Sequence, residues 1–402
     1  MSSYVGLVRT PGVARIMGAQ LLARFPSGML SLGFLLHIER TTGSYAAAGL
    51  VLAALSAGQA ISGPLTSRLM GIFGMRPVIL ATVIACSLTI LELALVEQSV
   101  PASMAVALLA GLTYPPIQPA VRTIYPKMVN SRQLTPLFSL DASAQELIWV
   151  GGPVLVTFVS TQIGTVQGIL LSVVLMAGGG AWFLSSPELG RVRIPRSRRR
   201  FGQVLTRPTV LLATVVGFLL IGSCAAIETG IVAVFGDDGP EAGIVLAIWS
   251  IGSLAGGLLL GHIPIGPWAL ARRVLIVTVG LALAAFALNF WWLALTLVIS
   301  GLGLAPALAV IFAITSSSVK FSDTAEAYGW VGTGQLIGAA LGSAAAGFLI
   351  DQNGAIGAFW VAITLASAGL LAAVIGKRWH PDLRHRDASP LPDTDAVPVQ
   401  PS

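Results

Sequence analysis

Polar residues along this chain come in short clusters, and the apolar runs between them are long. "YAAAGLVLAALSAGQAISGPL" (45–65) and "GILLSVVLMAGGGAWFL" (168–184) approach or reach the roughly 20 residues that cross a bilayer core. A transmembrane barrel would show short alternating segments instead. The pattern therefore predicts an all-α polytopic membrane protein. The polar breaks separate twelve predicted helices, near 12–37, 44–69, 77–96, 103–125, 135–160, 164–186, 209–235, 241–262, 272–289, 291–315, 327–350 and 355–376. The longest polar gap, "PELGRVRIPRSRRRFGQVLTRP", lies between the sixth and seventh. The predicted organisation is a six-helix bundle over 1–186, a basic linker over 187–208, a second six-helix bundle over 209–376, and a tail over 377–402. The tail is polar and proline-rich, a composition that predicts disorder. The basic residues before the first apolar run resemble a signal peptide. That run is too long and has no clean small-residue cleavage site, so it reads as an uncleaved first span.

Composition agrees. The chain is 55% hydrophobic and 10% charged, with mean hydropathy +0.85, whereas soluble domains carry about 25% charged residues. Placing the N-terminus in the cytoplasm puts every Lys and Arg except Arg24 and Arg40 on or near the cytoplasmic side, as the positive-inside rule requires. Both termini and the linker are then cytoplasmic, in a multi-pass cell-membrane protein. The net charge of +6 needs no nucleic acid, because "RSRRR" suits anionic inner-leaflet lipid. Cys86 and Cys224 lie in apolar runs, without metal-ligand or disulfide spacing. No phosphate loop of the form G-x-x-x-x-G-K-[ST] occurs, so ATP does not drive the protein directly. No catalytic or metal-binding cluster is visible, so the expectation is a monomer that is no enzyme and carries no cofactor and no metal.

The two predicted bundles repeat one another. "AALSAGQAISGPLTSR" (53–68) aligns with "AIWSIGSLAGGLLLGH" (247–262) at an offset of 194, matching Ser56 with Ser250, Gly58 with Gly252 and Gly63 with Gly257. "GLTYPPIQPAV" (111–121) aligns with "GLGLAPALAVI" (301–311) at an offset of 190, matching Gly111 with Gly301 and Pro116 with Pro306. The same offset carries Gln145 to Gln335 and Gly152 to Gly342.

Two six-helix halves joined by a cytoplasmic linker resemble the plan of the major facilitator superfamily. "GPLTSRLMGIFGMRPVIL" (63–80) is similar to that superfamily's loop motif between helices 2 and 3 in its efflux-type form, through Gly63, Leu65, Arg68, Phe73, Gly74 and Arg76. The motif's acidic residue and the cation after it fall on Gly71 and Ile72, so both are missing. "ELIWVGGPVLV" (146–156) resembles the Gly-Pro motif of the drug:proton antiporter branch through Gly152 and Pro153. "PPIQPAVRTIYPKMV" together with "FSLDASAQELIWVGGP" resembles a pattern of bacterial efflux-type permeases. The resemblance implies two bundles related by a pseudo-two-fold axis, helices 1 and 5 side by side at a central cavity, and an inner gate that uses Arg68 and Arg76. Without the acid at 71, the gate's carboxylate is expected from Asp141, Asp323 or Glu326.

A charge in hydrocarbon costs at least about 2.5–3.5 kcal/mol on insertion scales and usually faces a cavity or a partner. The intramembrane charges are therefore the site candidates: Arg24 in "LLARFPSGML", Glu92, Asp141, Glu146 and Glu228, with Arg122 at the inner end of helix 4. Arg24 and Glu146 lie about 18 and 17 Å from the inner ends of their helices, at 1.5 Å per residue. With the neighbourhood that the resemblance implies, they are expected to meet near mid-membrane as a proton-linked substrate site, or as a permanent ion pair locking the two helices. Asp141 matches Arg122 in depth, as an inner clamp or a static cap. Glu228 reads as an outer gate, a second proton site, or a residue snorkelling to the interface.

Tyr114 and Gln118 share a helix face, and with Gln145 and Gln335 they could line a cavity. Trp249 and Trp330 are placed to stack on a substrate, though for each of these residues core packing competes. Pro115, Pro116, Pro119, Pro306 and Pro153 are expected to bend their helices. The functional expectation is a secondary transporter that exports a small organic molecule against proton entry. The alternatives are an importer or facilitator of a nutrient such as a sugar, nucleoside or vitamin, and, of another class, a lipid flippase or a non-transporting scaffold.

Overall fold

The computed structural model describes residues 6–197, 199–236 and 240–393. Helix α1 consists of two segments, Val13–Arg24 and Pro26–Thr42, and is followed by α2 (Tyr45–Phe73) and α3 (Met75–Leu95). Two further split helices come next: α4 as Val100–Leu112 and Ile117–Met128, and α5 as Ser131–Ala144 and Glu146–Gln162. Helix α6 (Thr165–Ser185) closes the first half, and the linker carries a short helix, Pro187–Arg191. The second half contains α7 (Pro208–Phe235), α8 (Glu241–Leu260), α9 (Ala269–Ala284), α10 (Phe290–Ser318), α11 (Thr324–Asn353) and α12 (Ile356–Ile375).

Twelve helices thus stand where twelve were predicted, but α9 differs. Eleven spans among the described residues are long and apolar enough to cross a membrane, whereas α9 has 16 residues. It stops at Ala284, short of the predicted 289, because Asn289 caps α10, its side chain accepting from Trp292 N at 3.1 Å. Two of the three breaks in the first half fall at prolines. Pro26 has no N–H to donate, and Pro115 and Pro116 interrupt α4 at 113–116.

The repeat is structural. A Cβ on Gly111 would lie 2.2 Å from the Leu55 carbonyl and 2.8 Å from Gln59 N. A Cβ on Gly301 would meet the equivalent atoms of the other half, the Trp249 carbonyl at 2.4 Å and Ser253 N at 2.8 Å. Likewise, α1 crosses α5 at Gly28 and Gly152 as α7 crosses α11 at Gly222 and Gly342. In each crossing a Cβ on the second glycine would lie 2.7 Å from the backbone carbonyl carbon of the first. Small residues permit these backbone contacts, and they recur because the halves share one packing scheme.

The halves are closed against each other near the linker. There α2 packs on α11, and α5 packs on α8 and α10. Thr333 donates to the Ala60 carbonyl at 2.7 Å, and Ser139 to the Gly257 carbonyl at 2.6 Å. A Cβ on Gly329 would sit 2.7 Å from the Gly63 carbonyl oxygen. At the far end, Pro26–Thr42, Val100–Leu112 and α7 pack chiefly within their own half.

The described part of the predicted tail, up to Asp393, packs on the second half. Leu383 N donates to the Ile265 carbonyl at 2.8 Å, and Arg386 to the Ser317 carbonyl at 3.0 Å. Leu391 bridges Lys320, exchanging backbone hydrogen bonds with Val319 and Phe321. Leu383 and Ala388 are buried, so the tail carries enough apolar surface to dock on the loops between α8 and α9 and between α10 and α11. Residues 394–402 of that predicted segment lie outside the described residues.

Candidate functional site

The split helices bring their ends together at one buried ionic cluster. Arg24 ends the first segment of α1, Asp141 lies in the last turn of the first segment of α5, and Arg122 is in the second segment of α4. Arg122 Nε donates to Asp141 Oδ2 at 2.8 Å, and Arg24 Nη1 lies 3.5 Å from Asp141 Oδ1. Gln20 Nε2 and the Tyr125 hydroxyl also donate to Oδ1, at 3.2 and 3.1 Å. Arg24, Arg122 and Asp141 are 7%, 2% and 0% exposed, so a single carboxylate serves two guanidinium groups away from solvent.

Further acceptors stabilise the excess cation. Gln20 Oε1 accepts from Arg24 at 2.7 Å. Gln145 Oε1 accepts from Arg24 Nη2 at 2.5 Å and Arg122 Nη2 at 3.3 Å. With its amide oxygen turned to the guanidinium, Gln118 accepts from Arg122 at 2.5 and 2.8 Å. Tyr114 faces Ser27 within electrostatic reach of Arg24. Arg122 also lies 3.4 Å from the ring centroid of Phe312 on α10. Position 312 is the repeat equivalent of position 122, so this contact joins the two halves across their pseudo-two-fold relation.

The expected meeting of Arg24 with Glu146 does not occur. Gln145 sits at the break in α5, and Glu146 just beyond it turns toward the other half. There Glu146 Oε1 accepts from Ser253 of α8 at 2.8 Å and also faces Ser250. The counter-charge of Arg24 is Asp141 instead, which the sequence reading had placed as a partner of Arg122 alone. Glu228 on α7 is exposed and has no ion pair among the described residues. Gln335 packs on Gly217 of α7, its Nε2 without a partner, and the buried Trp249 Nε1 also has none. Trp330 does not stand over a cavity, since it packs on Phe201 of the linker, with centroids 5.7 Å apart. Pro153 lies beside the Gly28–Gly152 crossing.

At the linker end, Arg68 pairs with Glu326 of α11 at 2.8 Å and donates to the Arg199 carbonyl. Glu326 also accepts from Gly202 N at 2.7 Å, and Asp323 binds Arg199 at 3.2 Å and Ser197 at 2.5 Å. Glu326 of the other half is thus the carboxylate that meets Arg68. Arg76 donates to the Ser186 carbonyl at 3.2 Å. In the linker helix Glu188 pairs with Arg15. Burial opposes ionisation of Glu188, but its hydrogen bonds outweigh that effect and hold its pKa below 4.5.

Sequence reasoning missed Gln20, Tyr125, Ser253 and Phe312. Gln20 could have been found as a polar residue four positions before Arg24 on the same helix face. Ser253 and Phe312 carry no such signal, since only the packing of the halves brings them in.

The family model of the Major Facilitator Superfamily matches residues 16–288 and 224–400. No curated protein matches the chain in sequence. Solved structures share its fold. The human organic anion transporter MFSD10 (TETRAN) is 15% identical with a TM-score of 0.70, covering 90% of this chain and 98% of that one. A bacterial homologue of the iron transporter ferroportin, in an outward-facing state, is 14% identical with a TM-score of 0.73, covering 91% and 98%. The proton:xylose symporter XylE, bound to 6-bromo-6-deoxy-D-glucose, is 13% identical with a TM-score of 0.70, covering 96% and 98%. This multi-pass helical chain therefore belongs to the Major Facilitator Superfamily of membrane transporters.

Proposed function

We propose that this protein is a proton-coupled secondary transporter that exports a small organic molecule across the cell membrane by alternating access. One observation carries the reading: Glu146 and Glu228 lie on membrane-spanning helices of opposite halves, with no cation paired to either among the described residues. Two such carboxylates repel, and a proton bound between them removes the repulsion. Glu146 also holds Ser253 of the other half, so its protonation acts on a contact between the bundles. A cationic substrate competes with the proton for these carboxylates, which is the requirement for antiport. The free donors of Trp249 and Gln335 supply polar contacts. The linker and both termini face the cytoplasm in this reading, beside anionic inner-leaflet lipid, and the unit is a monomer.

A second reading rests on the other cluster. Two guanidinium groups share one carboxylate, and the neutral oxygen of Gln145 stands at the point where both converge. An anionic substrate group displacing Gln145 would match that excess charge. It would bind best with Glu146 and Glu228 protonated, so anion and proton would travel together, as in uptake of an anionic nutrient. MFSD10, similar in fold, is an organic anion transporter.

Reconstitution in liposomes with an imposed pH gradient separates the two. Lumenal pH is followed on addition of organic cations, organic anions, sugars and nucleosides. Proton movement opposite to an organic cation supports export, and movement with an organic anion supports the second reading. Transport of any of these with no proton movement refutes proton coupling.

A further inference from the structure

We propose that the cleft between α8, α9 and the docked tail binds the headgroup of an anionic phospholipid. The cleft has a volume of about 510 Å³ and is lined by Ile263, Trp268, Arg272, Arg273, Ile276 and Arg384, among others. Arg272 is exposed in the first turn of α9 and has no carboxylate partner among the described residues. Arg273 donates to the carbonyls of Pro306, Leu260 and Ile263 at 3.0–3.4 Å. Lys377 lies 4.3 Å over the Trp268 ring, adding a cation at the cleft's edge. Asp382 is the acidic group that the tail brings, and Arg384 holds it at 2.5–3.0 Å. Among the described residues, Arg272, Arg384 and Lys377 therefore stand at the cleft with one carboxylate, Asp382.

The length of α9 gives an independent reason for a headgroup here. Its 16 residues rise about 24 Å, at 1.5 Å per residue, whereas the hydrocarbon core is about 30 Å thick. Local thinning of the bilayer is one way to accommodate a span that short, and thinning draws phosphates toward Trp268 and Arg272 at its start. Trp268 is exposed, as interfacial anchors are. Exposed Ile263 and half-buried Ile276 form an apolar wall for the acyl chains below. Basic clefts between membrane helices suit anionic headgroups in this manner.

The test is a native mass-spectrometry titration of the full chain in detergent. Cardiolipin is the probe, phosphatidylcholine the neutral comparison and inorganic phosphate the competitor. Arg272→Ala and Arg384→Ala are each expected to weaken cardiolipin binding about fivefold, the weight of one basic residue near anionic lipid. Arg40→Ala, at the opposite end, should leave it unchanged. Both cleft arginines are exposed, so folding is preserved, and an unchanged unfolding temperature in lipid-free detergent verifies this for each variant. Equal binding of phosphatidylcholine, or insensitivity to both cleft substitutions, would overturn the proposal. So would displacement of cardiolipin by inorganic phosphate, which would mark a small-anion site instead.

Discussion

Arg24 sits at a break in its helix, and its charge is shared through Asp141 with Arg122. Removing one partner of a buried ion pair costs about 3–5 kcal/mol, because it leaves an uncompensated charge. Asp141→Asn leaves two cations with no carboxylate and should lower unfolding stability by that amount. Arg122→Leu leaves a balanced pair of Arg24 and Asp141 and should cost less, although the contact with Phe312 is lost. Denaturant unfolding in detergent compares the two, and equal losses would contradict a cluster with one excess cation. Glu146→Gln should reduce proton-driven transport at least tenfold while sparing downhill exchange of labelled substrate, since the amide cannot release a proton yet still accepts from Ser253. Full proton-driven transport in this variant would rule out Glu146 as the carrier.

The linker acts as an element that fastens the two halves. The Ser197 hydroxyl and the Arg199 guanidinium hold Asp323 of the second half, Gly202 N donates to Glu326 of the same half, and the Arg199 carbonyl accepts from Arg68 of the first. Glu326→Gln removes the charge that holds Arg68 and should increase the fraction of molecules open at the linker end. Spin-label distances between the inner ends of α2 and α11 read this directly, and an unchanged distribution would dismiss the lock. Glu188 gives the linker a pH response. Its folded pKa lies below 4.5, so its contribution is complete above that value and is lost as pH falls through the folded pKa. Proteolysis of the linker should accelerate below pH 4.5, and Arg15→Ala should flatten that dependence.

At the scale of the whole molecule, α2 and α11 approach backbone to backbone at Gly63 and Gly329. A Cβ on Gly329 would meet backbone atoms of Gly63 and Pro64 at 2.7–2.9 Å, and backbone cannot move aside as a flexible side chain can. Because the contact lies between the halves, Gly329→Ala should spare each bundle and hold the linker end apart. Cysteine accessibility along the linker-end faces of α2 and α11 should rise, with little change in unfolding temperature. By contrast, Gly342→Ala strikes the crossing of α7 and α11 within one half, and thermal unfolding should show a large loss of stability.

The chain's own pattern determined the all-helical class, the near-regular succession of twelve spans and the two-fold repeat, because bilayer thickness and backbone satisfaction leave an apolar run few other structures. It also named most members of the buried cluster, since a charge in hydrocarbon has few roles other than to meet a partner. It could not choose the partners. Arg24 and Glu146 agree in depth, yet depth says nothing about which way a side chain turns: Gln145 turns to Arg24, and Glu146, next to it in sequence, turns to Ser253 of the other half. The pairing of Arg24 with Asp141, of Glu146 with Ser253 and of Arg122 with Phe312 arose only through packing between segments far apart in the chain. The docked tail was invisible for a similar reason: its composition is that of a disordered segment, and only the loops of the second bundle supply the surface that orders it.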